Sequence, residues 1–202
     1  MSTIKTLIFD IGNVIITFNP EEFLQKILGD DKKGSDCFSL MVQSPEWQQL
    51  DKGLLTIEKA KNIFIQRDPS LKDEVELFFK QWLDMFHPIE PTIKLLDTLR
   101  EKGYKLYILS NFIRESFEAL SPKMTFLQKF DGVVASYSIG MAKPDRDIYE
   151  HVLEKFSLNA NECVFIDDMQ VNVDGAESVG ISTILFESTD QLIDQLKNMQ
   201  VL

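Results

Sequence analysis

The sequence predicts an α/β protein in which a doubly wound parallel sheet is interrupted early by a helical insert. Three observations carry this expectation. Short apolar runs of strand character alternate with helical periods from Pro91 to the end of the chain; the stretch from Pro20 to about Phe86 is helical in pattern throughout; and four of the apolar runs stop at polar residues. Strand and helix in turn imply right-handed crossovers and a parallel sheet with helices on both faces.

The first strand is expected over 6–9, a short apolar run halted by Asp10, as befits a buried parallel strand that ends in a functional loop. Helices follow over 21–28, 45–52, 56–66 and 71–86, with Thr56 placed to cap the third. From Pro91 a helix runs to Lys102 and is closed by Gly103, and a strand occupies 105–109. After a helix beyond Ile113, a short strand lies at 132–135 and a helix at 144–156. A strand at 163–166, a helix at 171–179 stopped by Gly180, a strand at 182–185 and a terminal helix from Thr189 complete the series. No repeat or low-complexity segment interrupts it.

Length and composition fit one core of ordinary size with a smaller appendage: 202 residues, 44% of them hydrophobic. With 32 acidic against 21 basic residues, the net charge of −11 argues against a broad grip on nucleic acid or anionic lipid. A phosphate site must therefore rest on local donors. The N-terminal residues lack the pattern of an export signal and no apolar run reaches membrane-spanning length, so a cytoplasmic protein without membrane partners is expected. Cys37 and Cys163 lack metal-ligand spacing and read as reduced structural residues.

In open parallel sheets, ligands sit beyond the carboxyl ends of the strands. Those ends carry Asp10-Ile11-Gly12-Asn13, Ser110-Asn111, Gly140-Met141-Ala142-Lys143-Pro144 and Asp167-Asp168. Taken singly, an acid after a strand is often a turn former or helix cap, and Ser-Asn is an ordinary turn. Lys143 at a helix start is poorly placed for a cation, because a helix N-terminus is partially positive, so an acidic or anionic partner is expected beside it. Adjacent carboxylates at a buried strand end repel unless a cation or proton lies between them. Together the set points to phosphoryl transfer: Asp10, Asp167 and Asp168 form a hard oxygen site suited to Mg²⁺, while lysine, hydroxyl and backbone amides stabilise the transferring oxygens.

These motifs, with Phe9-Asp10-Ile11-Gly12-Asn13-Val14 first and Phe165-Ile166-Asp167-Asp168 followed by Asn172 last, resemble those of the haloacid dehalogenase superfamily over nearly the whole chain. The resemblance implies a Rossmann-like core, residues 1–16 and 89–202, with a helical-bundle cap over 17–88. It also implies Asp10 as nucleophile and metal ligand, the Gly12 carbonyl as a further ligand, Ser110 and Lys143 on the phosphate, and Asp168 with Asp167 completing the Mg²⁺ site. Asn13, Asn111 and Trp47 are expected to contact substrate. The pattern is most similar to the bacterial glucose-1-phosphate phosphatase group, so a small phosphorylated metabolite such as a sugar phosphate is the expected substrate. Phosphatases of this superfamily usually carry a second aspartate two residues after the nucleophile, where this chain has Gly12. The general acid and base must then come from elsewhere, such as a cap side chain or metal-bound water, or turnover will be slow; if rates prove insensitive to the leaving group, the cap residues near Trp47 and Asp51 are the place to look.

Three readings of function stay open on the sequence, besides a dehalogenase within the same superfamily. The first is the phosphatase. The second, kept open by Gly12, is a catalytically weak or inactive phosphate-binding relative. The third is a phospho-receiver domain, disfavoured because receivers place their acidic pair on the first strand. Asn172 reads as support for the acidic pair or as a helix cap, and His87 and His151 as packing or surface residues. The oligomeric state is not legible.

Overall fold

The computed structural model describes residues 3–202. Five strands, β1 (Thr6–Phe9), β2 (Lys105–Ser110), β3 (Gly132–Ala135), β4 (Cys163–Asp167) and β5 (Ser182–Leu185), form one parallel sheet in the order β3-β2-β1-β4-β5. The chain builds outward from β1 to one side, then returns and builds outward on the other. The order therefore reverses at β1, and the crevice at its carboxyl end is where such sheets bind ligands.

Residues alternate between the two faces of each strand, so β1 sends Leu7 and Phe9 to one side and Ile8 to the other. The first side is covered by α6 (Glu90–Glu101) and α10 (Thr189–Asn198) through Leu95, Leu96, Leu99, Leu192 and Leu196. The second is covered by α8 (Arg146–Lys155) and α9 (Gln170–Glu177) through Ile148, Tyr149, Val152 and Ala176. Burial on both faces explains why the central strands read as continuous apolar runs.

Between β1 and α6 the chain forms five helices, α1 (Pro20–Leu28), α2 (Asp31–Met41), α3 (Pro45–Asp51), α4 (Ile57–Arg67) and α5 (Lys72–Gln81). Their apolar faces share a separate cluster that includes Leu24, Met41, Trp47, Leu50, Phe64, Phe78 and Trp82, joined from the sheet side by Ile113. Local chemistry sets the helix ends. Gly29 ends α1 in the left-handed conformation, with φ 62°. Ser44 caps α3 by accepting from the Trp47 N–H, and Thr56 caps α4 by accepting from Lys59. Where the insert departs and returns, Thr17 N–H donates to the His87 carbonyl (2.8 Å) and the Thr17 hydroxyl donates to the Met85 carbonyl (2.6 Å).

Three local differences from the sequence expectation have physical causes. Within the helical stretch no separate helix was placed at 31–41, because its first half, Asp-Lys-Lys-Gly-Ser-Asp, lacks an apolar period; Asp30 nonetheless caps one there through the Lys33 N–H, and Cys37 and Met41 bury its inner face. The helix expected over 71–86 is three pieces, with 3-10 turns at Pro69–Leu71 and Trp82–Met85. The tighter winding at the second turn swings Phe86 out to stack between Phe18 and Phe112. The helix expected from Pro144 starts at Arg146, because the preceding backbone is held by a side chain of the site. No helix among the described residues is long and apolar enough to cross a membrane.

Candidate active site

Asp10 leaves the end of β1 with its N–H donating to the Ile166 carbonyl of β4 (2.9 Å), and the register aligns Phe9 with Ile166. Asp10 and Asp167 therefore leave their strands side by side. The Lys143 ammonium bridges them, 2.8 Å from Asp10 Oδ1 and 2.6 Å from Asp167 Oδ2. The acidic partner expected for Lys143 is thus a pair, although the lysine lies in a loop ahead of α8 instead of at the helix start. Burial works against its charge, but the two carboxylates outweigh it and hold the ammonium above the ordinary lysine range.

The surrounding side chains fix this centre. Asn111 clamps the Lys143 backbone twice, accepting from its N–H and donating to its carbonyl, both at 2.9 Å. Asp167 is the most heavily bonded of the three acids: Oδ2 meets Lys143, and Oδ1 accepts from the Met169 N–H and the Asn172 side chain, each at 2.9 Å. Asn172 is therefore a support for Asp167. Asn13, at φ 51°, accepts from Phe18 N–H and donates to Asp168 Oδ2 (3.1 Å), which ties the loop after β1 to β4. The two asparagines expected at the substrate thus line the cavity while their hydrogen bonds go to the protein. Ser110 is buried, with its hydroxyl facing Asp10 closely enough to favour the ionised form.

Burial pushes the Asp10 carboxyl above the usual carboxylate range; Lys143 opposes this and the charge of Asp167 adds to it. Asp168 is also raised by burial, with the Asn13 hydrogen bond opposing. Oxygens of Asp10, Asp167 and Asp168 lie within 4.8 Å of one another. Asp10 Oδ1 is buried and, despite the nearby ammonium, has no aligned hydrogen-bond partner. Three clustered carboxylates with one ammonium and an orphaned oxygen are short of positive charge, and a hard divalent cation fits that deficit. Because Asp167 already meets three donors, Asp10 and Asp168 are the carboxylates with most capacity to spare for such an ion, with Asp167 beside them.

Above this floor opens a cavity of about 910 Å³. Six aromatic residues, Phe18, Phe38, Trp47, Trp82, Phe86 and Phe112, form the apolar part of its wall, and Glu21, Glu22, Gln25 and Gln48 of the insert add polar groups. Trp47 packs against Phe78, Phe79 and Trp82 in the helical insert and shows only an edge to the cavity. Asp51, the last residue of α3, reaches the same cavity from above. Burial pushes its carboxyl up to about 7, the charge of Lys143 opposing and that of Asp10 adding. Neither histidine lines the cavity. Ser136 was not singled out from the sequence, yet its hydroxyl donates to the Asp51 carbonyl and accepts from the Phe112 N–H (3.0 Å). Only its place just beyond a predicted strand end could have drawn attention to it.

Comparison with known proteins agrees with this geometry. A family model for haloacid dehalogenase-like hydrolases matches residues 4–180. A sesquiterpene phosphatase of Aspergillus oryzae is 30% identical over 180 residues, covering 89% of this chain and 88% of that protein. A drimenol cyclase of Aspergillus calidoustus is 27% identical over 97% of this chain, which spans 36% of that longer protein. Among solved structures, a family enzyme of Bacteroides thetaiotaomicron in complex with magnesium and inorganic phosphate superposes with a TM-score of 0.70 at 27% identity, covering 94% of this chain and 98% of that one.

Proposed function

Because the chain belongs to the haloacid dehalogenase-like hydrolase family, we propose that it hydrolyses a phosphate monoester through an aspartyl-phosphate formed on Asp10. The observation that carries this reading is the Asp10–Lys143–Asp167 cluster, buried at the strand-order reversal beneath a cavity large enough for a small metabolite. In this reading residues 1–16 and 89–202 are the catalytic core, and 17–88 the cap that shapes the substrate's non-reacting end.

An Asp10 oxygen attacks phosphorus, and the covalent step divides one difficult displacement into two. Lys143, oriented by Asn111 and Asp167, places its charge against the equatorial phosphate oxygens, and the Ser110 hydroxyl donates to them. Asp10, Asp168 and the Gly12 carbonyl, with Asp167 beside them, are the groups that would hold Mg²⁺, which when bound offsets the negative charge of phosphate and carboxylates. The aromatic part of the wall suits an ester of an alcohol with a large apolar portion, in place of the sugar phosphate expected from the sequence. The Aspergillus oryzae relative, named for a sesquiterpene substrate, supports the same preference.

The test is hydrolysis of a panel of apolar and sugar phosphate monoesters with Mg²⁺, on wild type and Asp10→Asn. Wild type should release phosphate, lose activity with chelator and favour apolar esters. Asp10→Asn should be inactive yet retain its fold, since the swap is nearly isosteric and relieves carboxylate crowding. Full activity in Asp10→Asn would sink the mechanism.

A further inference from the structure

We infer that Asp51, from the helical insert, is the general acid and base of the reaction, protonating the departing alcohol oxygen and later deprotonating the attacking water. The inference rests on the phosphatase reading. It begins from a proton count: an alkoxide leaves phosphorus poorly unless a proton arrives as the bond breaks.

The titratable side chains lining the cavity are Asp10, Asp168, Lys143, Glu21, Glu22 and Asp51. Asp10 is the attacking group. Lys143 is held in two short ion pairs, and Asp168 accepts from Asn13 beside the cation-seeking oxygen of Asp10. Glu21 and Glu22 sit in the first turn of α1, where Glu21 accepts from the Ser35 hydroxyl of α2. Asp51 alone remains both close enough to the centre to sense the charges of Asp10 and Lys143 and without a hydrogen bond or ion pair on its carboxylate among the described residues. It enters the cavity from the end of α3 in the insert, whereas Asp10, Lys143 and Asp168 enter from the strand ends and loops of the core.

The core holds that position. The Ser136 hydroxyl donates to the Asp51 carbonyl and accepts from Phe112 N–H, two residues beyond Ser110 at the phosphate. One residue further along, Lys52 pairs with Asp145 of the core at 2.7 Å. Beyond that, Gly53, at φ 66°, lies so close to the Tyr137 carbonyl that an added Cβ would stand 2.6 Å from it. Three consecutive residues thus dock this helix end on the core, although the rest of the insert packs mainly on itself. A carboxyl pushed up to about 7 is suited to donate and accept within one cycle.

The steps balance. As the Asp10 oxygen bonds to phosphorus and the ester P–O bond breaks, the Asp51 proton passes to the alcohol oxygen. Water then attacks the same phosphorus, giving its proton to the Asp51 carboxylate as the bond to Asp10 breaks, so inorganic phosphate leaves and both carboxyls return to their first states.

The experiment grades leaving groups. Wild type, Asp51→Asn, Asp51→Glu and the double variant Asp51→Asn with Gly12→Asp are assayed with saturating Mg²⁺ on p-nitrophenyl, phenyl and benzyl phosphate. Wild-type kcat/KM should vary little with leaving-group pKa. Asp51→Asn should lose about 10²–10⁴-fold on benzyl phosphate and far less on p-nitrophenyl phosphate, where no proton is needed. With p-nitrophenyl phosphate it should also show a burst of nitrophenolate, since the slowed base step lets phosphoenzyme accumulate. Asp51→Glu should recover part of the loss. The double variant should flatten the slope again, because a Cβ at Gly12 meets only ordinary contacts, 3.6 Å from Phe18 and 4.0 Å from Asp10 Oδ2. A steep wild-type slope, or an equal loss on every ester, overturns the role of Asp51 and leaves the phosphatase standing. A wild type that hydrolyses none of the three, nor any ester of the wider panel, removes the phosphatase reading and Asp51's role with it.

Discussion

At the scale of single residues, the site is held by side chains whose partners are protein, and those holdings are as informative as the reacting groups. Asn172 donates to Asp167, whose other oxygen anchors Lys143, so the lysine's aim depends on a residue whose amide is turned to another side chain of the site. Asn172→Ala should leave a buried carboxylate short of one donor and cost about 1.5–3 kcal/mol in urea unfolding, the range for hydrogen bonds to charged groups. An unchanged midpoint would show that the Met169 N–H alone suffices. Gly12 presents the converse case. Its backbone is not in the left-handed region and its neighbours leave room for a Cβ, so conformation does not require glycine there.

At the scale of elements, strand ends carry the core's chemistry and one helix end brings the insert to it. The strands at 6–9, 132–135 and 182–185 were legible to the residue: β1 is an apolar run buried on both faces, and β3 and β5, partly exposed at the sheet's edges, are short runs with β-branched residues that begin at or just after a glycine. The last turn of α3 matters through its fit to the core, which Gly53 makes possible. Gly53→Ala would force an L side chain into a left-handed backbone against the Tyr137 carbonyl. It should cost about 2–5 kcal/mol by the sum of those two strains, read by denaturant unfolding. The same displacement of Asp51 should steepen the leaving-group dependence. The sequence could not show this, since the docking pairs Gly53 with Tyr137 and Asp51 with Ser136, contacts between distant segments that leave no local period. The helix at 31–41 was illegible for a related reason. Its charged first half has no apolar stripe, and it forms because α1 covers the few residues it buries.

At the scale of the whole molecule, a chain of net charge −11 must draw in an anionic substrate with local positive charge alone. Lys143 is the one cation lining the cavity, set against carboxylates on every side, so a bound divalent ion is part of the same design. The motif set at the strand ends was readable in advance because parallel topology gathers every carboxyl end on one edge, whatever the intervening sequence. The aromatic wall was not, because Phe18, Phe86 and Phe112 come from separate segments and meet only when the insert closes over the sheet. What unites the scales is the proposed phosphoryl transfer to Asp10. The most direct measurement mixes wild type and Mg²⁺ rapidly with p-nitrophenyl phosphate, quenches with acid and maps protein-bound phosphoryl by mass spectrometry. The expected result is one phosphoryl group on the peptide containing Asp10, appearing and decaying at rates compatible with turnover. Phosphate release with no protein-bound phosphoryl, or with the label on another residue, would contradict it.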